Sequence, residues 1–400
     1  MNKKQNKKAN SDSQDTVSIS NRARKIPPFH VMDLLAHAKQ LEAEGRSIIH
    51  LEVGEPDFAT AQPIVDAGTQ ALHELKTHYT PAIGLPELRQ AIADYYQKKF
   101  NVSIDASRII VTPGSSGALQ LALSVLADAG DEVLLSDPGY PCNRNIAEIL
   151  GITVNSIAVT AESNYQLSGK HIKEQWHDNT KAAMVATPSN PTGTVITPQQ
   201  METLIKAVKQ ADGHLIVDEI YQSLVYDTDD YTALAFSDDV FVINSFSKYF
   251  GMTGWRLGWM AVPEEYVDAI DRIAQNIFLA PSTIAQYAAL VAFDDGTDDI
   301  LQQRSAIFKE RRDYLLPALR ELGFKISVEP QGAFYIYADC SAITQDSFKW
   351  CHDLLEAEGV AVTPGIDFGD FESSTHVRFA YTRPVEELER AVCRIARFIK

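Results

Sequence analysis

Between Arg108 and Val262 the chain returns seven times to one pattern: a short, fully apolar run rich in β-branched residues, a turn, then a helical period. The runs are Ile109–Thr112, Glu132–Ser136, Ile152–Val159, Ala182–Thr187, His214–Asp218, Val240–Ser245 and Gly258–Val262. Because they do not alternate with polar residues, both faces of the sheet they form must be covered, which helices on either side provide. The pattern predicts an α/β fold, a three-layer αβα domain around a mostly parallel seven-stranded sheet. One crossover helix is legible in detail. Thr197 is its N-cap, Pro198 its first residue and Gln200 closes a capping box, after which Met201, Leu204, Ile205 and Val208 form one apolar stripe.

After about Ala292 the pattern changes. A long Arg- and Leu-rich helix is expected near Arg304–Leu322, strands near Lys325–Val328, Ala333–Tyr337 and Val377–Tyr381, and helices over Asp346–Glu358 and Pro384–Phe398. This predicts a smaller α+β domain, to which the helical segment Val31–Glu44 is expected to belong. The expected division is a disordered tail over 1–25, a discontinuous small domain over 26–57 and 297–400, and a large domain over 58–296.

Composition narrows the function. Hydrophobic residues at 45% supply a sizeable core. Thirty-six basic residues against 53 acidic ones leave a net charge of −17, which argues against a nucleic-acid partner. Any small anion must therefore be held by a few placed cations. Four scattered cysteines with no CxxC pair point to reduced thiols and a cytoplasmic protein. No stretch reaches the roughly 18 apolar residues of a membrane helix, so no membrane partner is expected. The polar opening, Met1–Asn21, lacks the apolar centre of a secretory signal. No HExxH or comparable metal spacing occurs, and His73, His214 and His376 read as structural.

In open α/β sheets ligands bind outside the carboxyl ends of the strands, and here those positions are polar. Pro113-Gly114-Ser115-Ser116-Gly117 leads into a helix, where small residues and free N–H groups suit an anion, although such a turn is as readily a plain cap. Asn190 stands between Pro188 and Pro191, in what by itself is a rigid turn. Asp218 ends an apolar strand, so its carboxylate needs a partner, either a protonated ring nitrogen or a helix N-terminus. Lys248 lies among Phe246, Tyr249 and Phe250, a setting that would lower an ammonium's pKa and free the amine to attack an aldehyde. Eight residues on, Arg256 offers a planar fork for phosphate, with Ser245 and Ser247 beside it.

Taken in order, Ser189-Asn190-Pro191-Thr192-Gly193, Asp218-x-x-Tyr221, Ser245-x-Ser247-Lys248 and Gly254-Trp255-Arg256-x-Gly258 resemble the pyridoxal-phosphate aminotransferases of fold type I, class I/II. The resemblance runs from Gly54-Glu55-Pro56-Asp57-Phe58 to Val377-Arg378-Phe379. It implies that Lys248 carries pyridoxal 5'-phosphate as a Schiff base and that Asp218 pairs with the pyridinium nitrogen. Asn190 and Tyr221 are implied as donors to the ring oxygen, and Tyr140 as the aromatic stacked on the ring. Gly114, Ser115, Ser116, Ser245, Ser247 and Arg256 are implied around the phosphate. Tyr79 resembles the tyrosine that reaches the phosphate of a neighbouring subunit, so a homodimer with sites at its interface is implied. Arg378 is implied to clamp the substrate α-carboxylate, and Gly54 to lie in a segment that closes over the substrate.

The activity so implied is transfer of an amino group from an α-amino acid to a 2-oxo acid. A PLP-dependent β-lyase or cyclising enzyme would share the same motifs. A regulator with an aminotransferase-like domain would need a DNA-binding module ahead of it, for which the short tail leaves no room. The segment Asn276–Thr283 resembles a pocket-lining stretch and carries no cation; with Phe29 and His30 near the entrance it favours a neutral or apolar substrate side chain, with Arg144 and Arg272 unplaced.

Overall fold

The seven apolar runs become seven strands of one sheet in a computed structural model of the chain, which describes residues 18–400. They are β1 (Ile109–Thr112), β2 (Glu132–Asp137), β3 (Thr153–Ala158), β4 (Thr180–Ala186), β5 (His214–Asp218), β6 (Phe241–Ser245) and β7 (Gly258–Ala261). Their order across the sheet is β1-β7-β6-β5-β4-β2-β3. Every pairing is parallel except those of β7, which runs antiparallel to β1 and β6. The fold is α/β with a mostly parallel central sheet, as the continuous hydrophobicity predicts. All residues of β1, β6 and β7 are buried, whereas the edge strand β3 alternates and exposes Thr153, Ser156 and Ala158.

The helix Pro198–Gln210 forms with the expected capping box, in which Thr197 Oγ1 accepts from Gln200 N. Met201, Leu204 and Val208 are buried, and Ile205 is half-buried at the margin of the stripe.

A second, antiparallel sheet takes the order β9-β10-β8, from β8 (Tyr335–Asp339), β9 (Thr363–Pro364) and β10 (His376–Ala380). Helix Ser347–Glu358 packs beside its strand β9, helix Val385–Ile399 packs on that helix and on the long helix Asp295–Glu321, and Ile49–His50 adds a short parallel pairing with Val360–Ala361. This matches the expected two-domain layout in most elements. The long helix starts earlier than its Arg/Leu pattern suggests, at Asp295, because Asp295 and Asp298 favour the positive end of a helix. Lys325–Val328 is not a strand. Only Lys325 bridges to Asp339, and the chain then leaves the sheet edge.

Of the tail expected to be disordered over 1–25, residues 1–17 lie outside the described residues. Asn21–Lys25 instead forms one exposed helical turn, because Ser20 caps it and Arg22, Arg24 and Lys25 favour its carboxyl end.

Candidate active site

Five parallel strands deliver residues to one edge of the large sheet. Ser115 and Ser116 follow β1, Tyr140 follows β2, Asn190 follows β4, Asp218 and Tyr221 come from the end of β5, and Ser247 and Lys248 follow β6. Since β7 runs the opposite way, its amino end lies at this same edge and brings Arg256 with it. Arg256 has φ +55°, a left-handed conformation that is uncommon for a non-glycine residue and held here by the following strand.

These residues surround a cavity of about 390 Å³, together with Gly54, which precedes the large sheet in sequence, and Arg378, which follows it. Of the residues singled out from sequence, Ser115, Ser116, Tyr140, Asn190, Asp218, Tyr221, Ser247, Lys248, Arg256, Gly54 and Arg378 all line it. Three do not. Ser245 is buried behind the wall, its Oγ 3.0 Å from Ser247 Oγ and 3.3 Å from Leu257 O. Gly114 lies behind the Arg256 guanidinium, where a Cβ would stand 2.6 Å from Nη2. Tyr79 is 83% exposed, on the same face as the segment joined to it by the bond from Thr283 Oγ1 to His78 O.

Lys248 Nζ donates to Gly54 O at 2.5 Å and lies 5.8 Å from the ring centres of both Tyr221 and Phe334. Burial lowers its pKa to about 8, against the opposing pull of Glu55. The rings beside Nζ are not the aromatic neighbours named from sequence. Phe246 and Phe250 pack instead into the core with Trp259 and Phe293, because the turn that points Lys248 at the cavity points them inward. Asp218 is buried, with Oδ1 accepting from Ile220 N at 3.0 Å, and burial raises its carboxyl to about 6. That is the cost of burying a carboxylate, which the bond from Ile220 N and the charge of Lys248 offset only in part.

Arg378 stands on β10, 4% exposed. It donates from Nη1 to Asn190 Oδ1 at 2.9 Å and from Nη2 to Glu52 O and, at 3.2 Å, to Thr363 Oγ1. Its buried Nε has no partner among the described residues, so a donor is left for an incoming acceptor. With Oδ1 engaged, Asn190 keeps its NH₂ group as a donor.

The segment Gly54–Phe58 is anchored from a distance. Arg311 on the long helix grips Asp57 through two bonds of 2.8 and 2.9 Å, and Thr253 Oγ1 donates to Glu55 Oε1 at 2.6 Å. Sequence reading missed Arg311, and it missed Val31, Met32, Ile146 and Tyr335 on the cavity wall. The motif around Asp57 was the one available signal. Conversely, Asn276–Thr283 does not line the cavity within this chain; Asn276, Ile277 and Leu279 lie exposed beside the Tyr79 segment. Arg144 lines a separate cavity of about 20 Å³, and Arg272 is exposed.

The groups present are those a phosphorylated aromatic aldehyde would need. The backbones of Gly114 and Gly258 approach so closely that a Cβ on Gly258 would sit 2.8 Å from Gly114 C and Ser115 N. This leaves a helix N-terminus, hydroxyls and a guanidinium around one cradle. An acid, an amine and two neutral donors lie along the same cavity.

The family description "Aminotransferase class I and II" matches residues 46–395. A (5-formylfuran-3-yl)methyl phosphate transaminase of Methanocaldococcus jannaschii is 38% identical over 384 residues, covering 95% of this chain and 99% of its own. The valine–pyruvate aminotransferase of Mycobacterium tuberculosis is 37% identical over 376 residues, covering 94% and 97%. A crystal structure of an aminotransferase from Mycobacterium tuberculosis superposes with a TM-score of 0.93 at 36% identity, covering 96% of this chain and 99% of that one. By sequence, fold and the convergence of its strand ends, the chain belongs to the class I and II aminotransferases, enzymes that transfer amino groups.

Proposed function

We propose that this protein moves the amino group of an α-amino acid with a neutral, mainly apolar side chain to a 2-oxo acid, using pyridoxal 5'-phosphate held in the cavity by Lys248. When bound, the cofactor supplies an aldehyde that condenses with amines and a protonated ring that accepts the electron pair left at the substrate α-carbon. The single observation that carries the reading is the meeting of Lys248, Asp218, Tyr221, Asn190, Arg256 and Arg378 on one cavity.

Each residue has a duty its surroundings suit. Lys248 Nζ, with a pKa near 8, takes the proton from the substrate α-carbon near neutral pH. Asp218 faces the ring nitrogen and keeps it protonated, gaining the cation that its burial demands. Asn190 and Tyr221 donate to the ring oxygen, and Tyr140 lies against the ring. Ser115, Ser116, Ser247 and Arg256 hold the phosphate, with Gly114 leaving room for the guanidinium and Ser245 orienting Ser247. Arg378 receives the α-carboxylate. Gly54 brings its segment over the substrate.

These duties engage the cavity's three cations, Lys248, Arg256 and Arg378. The lining left for the side chain includes the apolar Phe29, Val31, Met32 and Ile146 beside Cys142 and Asn143, and among the described residues it holds no further cation. A second carboxylate would be buried unpaired, which is costly. The relative that acts on valine and pyruvate by name is in keeping with this choice. The exposed Tyr79 supports a homodimer in which each copy completes the other's phosphate site. We further propose two domains divided near residues 57 and 297, a cytoplasmic location and a place in amino acid metabolism. Among the described residues no helix is long and apolar enough to cross a membrane.

The test is to add single amino acids to the cofactor-loaded protein, follow the visible absorbance of the half-reaction, and identify the amino acid formed from an added 2-oxo acid. Valine, leucine, alanine or an aromatic amino acid is expected to give the highest kcat/KM. Aspartate or glutamate as the best substrate would overturn the apolar assignment.

A further inference from the structure

Tyr335 opens β8 and is 1% exposed. No motif and no strand end of the large sheet pointed to it, yet three parts of the site meet on its side chain. Its hydroxyl lies 2.7 Å from that of Tyr221. Its ring lies beneath the Arg378 guanidinium, with Cζ 4.3 Å from the ring centre. Its Oη packs on Gly54 so tightly that a Cβ there would stand 1.7 Å away, so only glycine fits.

The hydrogens of the two phenols can be counted. Burial raises both phenol pKa values, so each hydroxyl keeps its proton. Tyr335 Oη has one hydrogen-bond partner among the described residues, Tyr221 Oη, so a satisfied Tyr335 must donate there. Tyr221 then has its own hydrogen to give to a cavity ligand. A donor that itself accepts a hydrogen bond is a stronger donor.

We propose that Tyr335 is a positioning residue with two separable duties: its hydroxyl orients and strengthens the hydrogen bond from Tyr221 to the cofactor's ring oxygen, and its ring holds Arg378 in place to receive the substrate carboxylate. The proposal rests on the assignment of Lys248 and Tyr221 to pyridoxal 5'-phosphate. A hydrogen bond to the ring oxygen stabilises its anionic form and so lowers the pH at which the lysine-bound cofactor loses its proton. Weakening that bond raises this pH.

The experiment compares Tyr335→Phe, Tyr335→Leu, Tyr221→Phe and the double variant Tyr221→Phe/Tyr335→Phe, each loaded with cofactor. The pH midpoint of the bound cofactor's visible absorbance and the KM for one good amino acid are measured. Tyr221→Phe is expected to raise the midpoint. Tyr335→Phe raises it by a smaller amount, about half a pH unit, the scale of one neutral hydrogen bond. Its KM stays within about twofold, since the ring remains under Arg378, whereas Tyr335→Leu raises KM about fivefold through loss of the cation–π contact. In the Tyr221→Phe background, Tyr335→Phe adds no further shift of the midpoint. If Tyr221→Phe moves the midpoint and Tyr335→Phe leaves it unchanged or lowers it, the proposal for Tyr335 falls while the assignment of Tyr221 stands. If Tyr221→Phe leaves it unmoved, both fall. A shift of full size from Tyr335→Phe in the absence of the Tyr221 hydroxyl also overturns the proposal.

Discussion

Lys248 is an amine whose pKa is lowered by burial. Tyr221 and Phe334 flank its Nζ, and among the described residues Gly54 O is its one hydrogen-bond acceptor. Replacing it with alanine removes the amine but leaves the phosphate cradle, Asp218 and Tyr140 in place. Lys248→Ala is therefore expected to bind pyridoxal 5'-phosphate without a covalent link and to lose at least about a hundredfold in turnover, the lower range for a positioned general base. Borohydride reduction of the wild type followed by peptide mapping checks the assignment, and label on any other lysine refutes it. Ser115, Ser116, Tyr140, Asn190, Asp218, Tyr221, Ser247 and Lys248 were legible because each stands at or just after the end of an apolar run that announces a strand, and Arg256, Arg378 and Gly54 through the motifs around them. Their partners were not. Arg378 and Asn190 are bonded although 188 positions separate them, and no local pattern encodes such a pair.

Among the elements, the helix His30–Ala43 has no side-chain cap of its own, because Phe29 occupies its N-cap position. Asp367, more than 300 positions away, supplies one. Its two carboxylate oxygens accept from His30 N at 2.9 Å and Val31 N at 2.8 Å. The loop carrying Asp367 also presents the Phe368 ring to Arg378, 4.8 Å from Cζ, and sends Asp370 N to Asp137 Oδ2 at 2.9 Å, beside the Tyr140 turn. One loop thus joins the apolar wall, the carboxylate clamp and the end of β2. Asp367→Ala is expected to cost about 1–2 kcal/mol of stability in denaturant titration, as a lost helix cap does. It should also raise KM for apolar amino acids, since Phe29, Val31 and Met32 lose their tether; an unchanged KM would separate the cap from the wall. The helix itself was readable from its apolar period. Its cap was not, because a cap supplied from the far end of the chain leaves no trace in the local sequence.

Stability belongs to the whole molecule, and His50 gives it a pH dependence. Its Nδ1 lies 2.7 Å from the buried Glu52 Oε1 and its Nε2 3.2 Å from Glu42, joining the short strand to the helix His30–Ala43. The hydrogen bond to Glu52 raises the His50 pKa above 6.5. The folded protein therefore keeps a proton that the unfolded chain releases near 6.5. The stabilisation is complete below that pH and is lost as pH rises through the higher folded value. The drop in denaturant midpoint between pH 6 and pH 8.5 is expected to be smaller in His50→Gln than in the wild type, and an equal or larger drop would refute this. The sequence alone determined the central sheet, the polar residues at its carboxyl edge, the family and the need for a few placed cations in an acidic chain. These follow from continuous apolar runs, from the 3.6-residue helical period and from motifs a few residues long, all of which are local in the chain. Tertiary structure alone decided which apolar residues wall the cavity, what desolvates Lys248, and that Tyr335 stands between Tyr221 and Arg378. Such contacts join residues scores to hundreds of positions apart, and only the packing of the two sheets around one cavity brings them together.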